Sequence, residues 1–148
     1  MGRPTPALLA QADQAEAQYR LPAGLVSGLI EVESGWDPQA VGHNPRSVDR
    51  GLVQINSLAH PDVTPGQAFD PSFAIPWAAK ELAGLIARCG SVTGGLEAYN
   101  SGRCQGDTGY ASAVLSAARR YGYTGAAWQP RTVWVLLLGA AALVVLAL

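Results

Sequence analysis

The 148-residue chain is poor in cysteine, in histidine and in charge, and each scarcity excludes a class of function. Two cysteines and two histidines, without paired spacing, are too few for a closed zinc site, so neither a metal nor another cofactor is expected. Charged residues are 14% of the sequence, and ten Lys and Arg against eleven Asp and Glu leave a formal net charge of -1. With no basic stripe to release counterions from a phosphate backbone, nucleic acid is not an expected partner. Clean strand alternation and internal repeats are also absent, which points to an all-α class, α+β at most. A secretory leader is not expected either: the apolar stretch from Ala7 to Ala10 is broken at once by Gln11, Asp13 and Glu16. At 15.4 kDa the chain has room for one domain of ordinary size.

What is abundant is concentrated at the end of the chain. The 17 residues from Thr132 to Leu148 carry no charge, and as a helix they would span about 25 Å, enough for a thin bilayer. Trp128 and Trp134 bracket the entry to this run and Arg131 precedes it, an arrangement suited to the headgroup region. The expected organisation is therefore a helical domain over residues 1–121, a linker over 122–131 and a transmembrane anchor over 132–148 that partners a lipid bilayer. A buried core helix is the alternative for that tail.

Within the domain, Pro6 to Tyr19 reads as a helix, and Pro22 starts a second that runs through Val26, Leu29 and Ile30 toward Gly35. Asp70 and Pro71 mark the start of a helix reaching Arg88 before Gly90 stops it. Ser91 caps a short helix over Thr93 to Tyr99 that Gly102 ends, and Asp107 or Thr108 starts a last helix running to Tyr121. On the second helix, Val26, Leu29, Ile30 and Glu33 share a face, whereas Glu31 projects to the other side as a solvated charge. A carboxyl on an apolar stripe is desolvated, its pKa rises toward neutrality, and it stays protonated as a general acid. The helix alone leaves open the plainer reading, a glutamate at a helix end reaching into water.

Three segments settle that choice in favour of chemistry. Glu33-Ser34-Gly35-Trp36-Asp37-Pro38-Gln39-Ala40, Gly51-Leu52-Val53-Gln54-Ile55-Asn56 and Ala98-Tyr99-Asn100-Ser101-Gly102 occur in the order and at the spacing of the soluble lytic transglycosylase family, which the chain resembles from about Arg20 to Tyr121. Val53 stands where the family often has Met, a small departure. The resemblance implies a lysozyme-like helical fold whose cleft binds the glycan strands of peptidoglycan, with Glu33 as catalytic acid and base. Glu33 would protonate the glycosidic oxygen between N-acetylmuramic acid and N-acetylglucosamine, then accept the proton of the muramic 6-hydroxyl as that oxygen closes onto C1. A 1,6-anhydro end results, and no second carboxylate is needed to activate water.

The same resemblance implies substrate-binding roles for Ser34, Gln54, Tyr99, Asn100 and Tyr110. Gln54 can donate to and accept from a sugar, Gly51 lets backbone approach a ligand, and the Tyr99 phenol is expected to bond the Glu33 carboxylate. Each also has a plainer reading: half-buried core tyrosines, a turn-bracing amide, and a serine bonded to a carbonyl one turn back. Trp77 is expected in the core, Trp36 stays open, and His43 and His60 are expected at the surface. Arg46, Asp49 and Arg50 form a charged loop cluster without an assigned catalytic role. Cys89 and Cys104 stand 15 positions apart across the helix that presents Tyr99 and Asn100; a disulfide would pin it, and two free buried thiols are the alternative.

Two rival functions keep the fold. A hydrolytic muramidase would need Asp37, Asp49 or Glu97 as a second carboxylate, and a non-catalytic glycan-binding membrane protein of an envelope or virion would need none of the catalytic set. Location is constrained by Arg119, Arg120 and Arg131, which lie on the N-terminal side of the expected anchor and by the positive-inside rule place the domain in the cytoplasm. A virion membrane of a bacteriophage, or export into the cell envelope by a secretion or conjugation machine, resolves the conflict, and the minimal chain favours the virion.

Overall fold

The computed structural model describes residues 3–106, 109–126 and 128, and the backbone of 136–137 and 140–141. Helix α1 covers Pro6–Tyr19, α2 Leu25–Ser34, α3 Pro65–Phe69, α4 Pro71–Cys89, α5 Val92–Ser101 and α6 Tyr110–Arg119. Three short strands, β1 Val41–His43, β2 Val48–Arg50 and β3 Ile55–Asn56, form an antiparallel sheet in the order β1-β2-β3 between α2 and α3. Asp49 is on the central strand, opposite Gly42 on one side and Asn56 on the other. The mostly helical architecture matches the expected class, and the small sheet falls within its α+β limit. Strands of two or three residues are too short to show an alternating pattern, which is why the sequence conceals them.

Helix α2 is the central element. Leu25, Val26, Ser27, Gly28, Leu29 and Ile30 are all buried, because α1 and α4 pack on one side and α6 on the other. Gly28 is needed for that last contact: a Cβ there would lie 2.6 Å from the Ala118 backbone nitrogen. The core continues through Leu52, Val53, Ile75, Leu82, Ile86, Leu96 and Val114.

Two helix starts lack a local cap, and both are satisfied from a distance. Gly24 and Gly109 are the N-cap residues of α2 and α6 and offer no side chain. Helix α2 is served by Glu16 of α1, which is 3% exposed and accepts from the backbone N–H of Gly24 and Val26 at 2.8 Å and of Ser27 at 3.4 Å. The helix therefore begins at Leu25, not at the expected Pro22. At α6, the Glu97 carboxylate of α5 accepts from Ala111 N–H at 3.1 Å. The expected start of α6 at Asp107 or Thr108 lies outside the described residues, and the helix is described from Tyr110.

Cys89 and Cys104 are joined in a disulfide that ties the end of α4 to the loop after α5. Most of the tail expected to be a transmembrane helix, 132–148, lies outside the described residues. The four that are described pair instead as two antiparallel segments, Leu136–Leu137 with Ala140–Ala141. Among the described residues no helix is long and apolar enough to cross a membrane.

Candidate active site

A cleft of about 710 Å³ opens between the sheet and the helical body. One wall is helical, with Glu33 from the end of α2, Tyr99 and Asn100 from the end of α5, and Trp77, Glu81, Leu85 and Arg88 from α4. The other carries Ser47, Asp49, Ile55 and Asn56 of the sheet region together with Gln54, Ala59 and His60. The fold thus brings Glu33, Gln54, Tyr99 and Asn100 to one cavity from three separate segments.

Glu33 is half-buried at the last turn of α2, one turn beyond Leu29 and Ile30. Burial pushes its carboxyl up from 4.5 to about 7, the Tyr110 phenol pulls it partly back, and the negative charge of Asp49 raises it further. The desolvation expected from the helix face is thereby found. The expected partner is not: the phenol that donates to Glu33 Oε1 belongs to Tyr110, the first residue of α6. Tyr99 donates instead to the Val53 carbonyl at 3.0 Å and so fixes the turn that carries Gln54. Burial raises both tyrosines, and the nearby Glu33 charge raises them further, so each is a phenol, not a phenolate. Glu97 reaches this site indirectly, since its bond to Ala111 N–H holds the turn that starts with Tyr110.

Gln54 has φ of 51° and its Nε2 donates to Gly51 O at 2.9 Å and Ala40 O at 3.3 Å, bracing the turn below the sheet. Its amide nitrogen is thus spent on the loop, while the side chain still lines the cleft. Gly51 is required for packing, not for a ligand: a Cβ there would meet Ala68 O at 2.0 Å. Ser34 takes its plainer reading as well, donating to Ile30 O at 3.2 Å, and it does not line the cleft.

Asp49, read from sequence as part of a loop cluster, is the best-held carboxylate of the sheet wall. It accepts from Asn44 Nδ2 and from Asn56 Nδ2, both at 2.7 Å. Asp37 turns away into a local bond with Gln39 N–H, and Glu97 is buried beneath α6, so of the three candidate second carboxylates only Asp49 faces the cavity. His60 and Trp77 also depart from expectation: neither is plain surface or plain core. They form an edge-to-face pair with centroids 4.8 Å apart on the cleft lining. Trp36, by contrast, is a core residue, and its Nε1 donates to Tyr121 Oη at 3.0 Å.

Glu31 is not a free surface charge. It pairs with Arg120 and accepts from Tyr121 Oη at 2.6 Å, tying the end of α2 to the end of α6. The two helices that meet at Glu33 and Tyr110 are therefore clamped on their far side too. Among the described residues no cluster of three or more His, Cys, Asp or Glu is placed to hold a metal ion.

Comparison with curated proteins and with solved structures finds no match. The sequence does match a family, described as Transglycosylase SLT domain, over residues 11–112, a span that holds the cleft residues Glu33, Gln54, Tyr99 and Asn100 and Tyr110, which does not line the cleft but donates to Glu33, and the chain belongs to that family.

Proposed function

We propose that the protein is a lytic transglycosylase that cuts the β-1,4 bond between N-acetylmuramic acid and N-acetylglucosamine and leaves a 1,6-anhydromuramoyl end. Members of its family are lytic transglycosylases acting on peptidoglycan. The observation that carries the reading is a cleft carboxyl, Glu33, raised to about 7 by burial and held by the Tyr110 phenol. A group poised there can act in both directions. Protonated, it donates to the glycosidic oxygen as the C1–O bond breaks. As carboxylate, it accepts the proton of the muramic 6-hydroxyl as the new C1–O6 bond forms. Glu33 ends as it began and no water is consumed.

The test is digestion of purified peptidoglycan followed by mass analysis. Fragments one water lighter than the reducing-end species are expected, and reducing ends alone overturn the reading. A hydrolytic muramidase is the second reading, favoured by Asp49 on the opposite wall with two amide donors. Asp49→Asn separates the two. Activity within about tenfold of wild type, with anhydro product, is expected if the muramic 6-hydroxyl is the nucleophile; a loss of 10²-fold or more, toward that of a Glu33 variant, assigns Asp49 to the chemistry.

The same proposal places the enzyme at a membrane, in a virion or a cell envelope, through residues 132–148. Support comes from the 17 uncharged residues of that run and the tryptophans before it. Resistance of the full-length chain to carbonate extraction is expected, and its release would refute the anchor.

A further inference from the structure

Helices α1, α3, α4 and α5 are each closed at the start by their own N-cap side chain, Thr5, Thr64, Asp70 and Ser91 respectively. The exceptions are α2 and α6, the helices that carry Glu33 and Tyr110. On α2 the remote cap, Glu16, serves the end away from Glu33. On α6 it serves the very turn that holds the phenol: Glu97 accepts from Ala111 N–H at 3.1 Å, and Ala111 follows Tyr110 directly. Gly109, at φ of 76° and without a side chain, cannot do this work locally.

Glu97 is 3% exposed, and a carboxylate is costly to bury. A serine or aspartate cap would satisfy α6 wherever α5 lay, whereas a cap reaching over from α5 makes the placement of Tyr110 depend on α5. That helix is a fixed reference. Gly95 lets it press on α4, since a Cβ there would lie 2.8 Å from the Ile86 backbone nitrogen, and the Cys89–Cys104 disulfide ties the loop after it to the end of α4. Two side chains of α5, two positions apart and so on nearly opposite sides, act on separate parts of the site. Tyr99 holds the Val53 carbonyl and the Gln54 turn, and Glu97 holds the start of α6.

We propose that Glu97 is a positioning residue of the reaction: by fixing the first turn of α6 to α5 it aims the Tyr110 phenol at Glu33 and keeps the acid paired with its donor. The inference rests on the reading of Glu33 as the catalytic acid. The titratable groups that face Glu33 are Tyr110 from α6, Tyr99 from α5 and Asp49 from β2; Glu81 of α4 acts on Tyr99 in turn, and Glu16 of α1 is engaged at the far end of α2. Tyr110 favours the charged form of Glu33 and Asp49 opposes it, so the pairing with Tyr110 sets where the acid titrates. Burial first, and then the Glu33 charge, keep Tyr110 a neutral donor, and the Glu97 charge adds to the same effect.

The experiment is a carboxyl-carbon NMR titration of Glu33 in the full-length chain, run beside the pH profile of kcat on purified peptidoglycan. Two variants separate reach from charge. Glu97→Asp keeps the charge but is one methylene too short for Ala111 N–H, whereas Glu97→Gln keeps an acceptor oxygen at full reach and loses the charge. Circular dichroism checks the fold of each. Glu97→Asp is expected to raise the Glu33 midpoint by about half a pH unit or more and to lower kcat severalfold, because the phenol is no longer held in place. Glu97→Gln is expected to hold the midpoint at its wild-type value. In a Tyr110→Phe background Glu97→Asp should shift the midpoint no further, since both substitutions break the same contact. A midpoint unmoved by Glu97→Asp, one moved by Glu97→Gln alone, or a shift that adds to that of Tyr110→Phe would overturn the positioning role. Loss of the helical signal in either variant would overturn it too, by making Glu97 a support of the fold alone. If the midpoints shift as expected while wild type leaves peptidoglycan uncut, the reading of Glu33 as the catalytic acid fails and the hold of Glu97 on the pair stands.

Discussion

Glu33 on the helical wall of the cleft and Asp49 on the sheet wall are carboxylates held by opposite means. On the helical wall Glu33 is surrounded by apolar residues of a central helix and has one phenol as partner; burial dominates and the group is raised to about 7. On the sheet wall Asp49 is half-exposed on the middle strand and receives two side-chain amides at 2.7 Å. Chemistry that moves a proton needs the first kind of environment, and the second supplies a fixed negative charge across the gap. One charge also acts on the other, since Asp49 makes Glu33 harder to ionise. Two residues of similar chemistry are thus differentiated by the wall they stand on.

The most severe break in this comparison is Glu33→Gln, which keeps the shape and removes the proton. Loss of roughly 10²- to 10⁴-fold in wall-lytic rate is expected, measured as turbidity decrease on purified cell walls. The same substitution should stabilise the fold at neutral pH. Because the folded carboxyl titrates near 7 and the ordinary value is 4.5, its cost is absent below pH 4.5 and grows as pH rises to about 7. Chemical denaturation should show Glu33→Gln more stable than wild type by on the order of 1–3 kcal/mol at pH 8 and no more stable at pH 4.

Tyr110→Phe acts on the same group from the other side. The phenol lowers the Glu33 pKa, so its removal should move the alkaline limb of the kcat profile upward while reducing the rate about tenfold. Tyr99→Phe breaks only the bond to the Val53 carbonyl and should leave that limb in place. The smallest effect is expected on the far side of α2. Glu31→Gln weakens the tie to Arg120 and Tyr121, and a stability loss of about 1 kcal/mol with near-normal lytic rate is expected. A rate loss there as large as that of Tyr110→Phe would show that clamping α2 to α6 matters to the chemistry.

Local rules made much of the fold legible. Pro, Asp, Ser and Gly at helix ends fixed α1, α4 and α5 to within a few residues, and the 3.6-residue period placed Glu33 on the apolar stripe with Leu29 and Ile30. That stripe offered a desolvated acid beside a glutamate reaching into water, and the resemblance carried by the three segments, not the period, chose between them. The three short segments carrying Glu33, Gln54 and Tyr99 with Asn100 were likewise readable, because each is contiguous in the chain.

Pairing across the chain was not readable, since it depends on which elements pack together. Glu33 lies 77 positions from Tyr110, and Glu31 lies 90 from Tyr121; no periodicity links residues so far apart. Only the packing of α6 along α2 decided that Tyr110, not Tyr99, meets the acid, and that Glu31 is clamped, not solvated. The distant caps follow the same logic. Glycine at the start of α2 and of α6 signals a helix that lacks its own acceptor, but that Glu16 and Glu97 would supply it follows from burial: an uncapped N–H out of water must find a partner, and the tertiary fold chose which carboxylate was near.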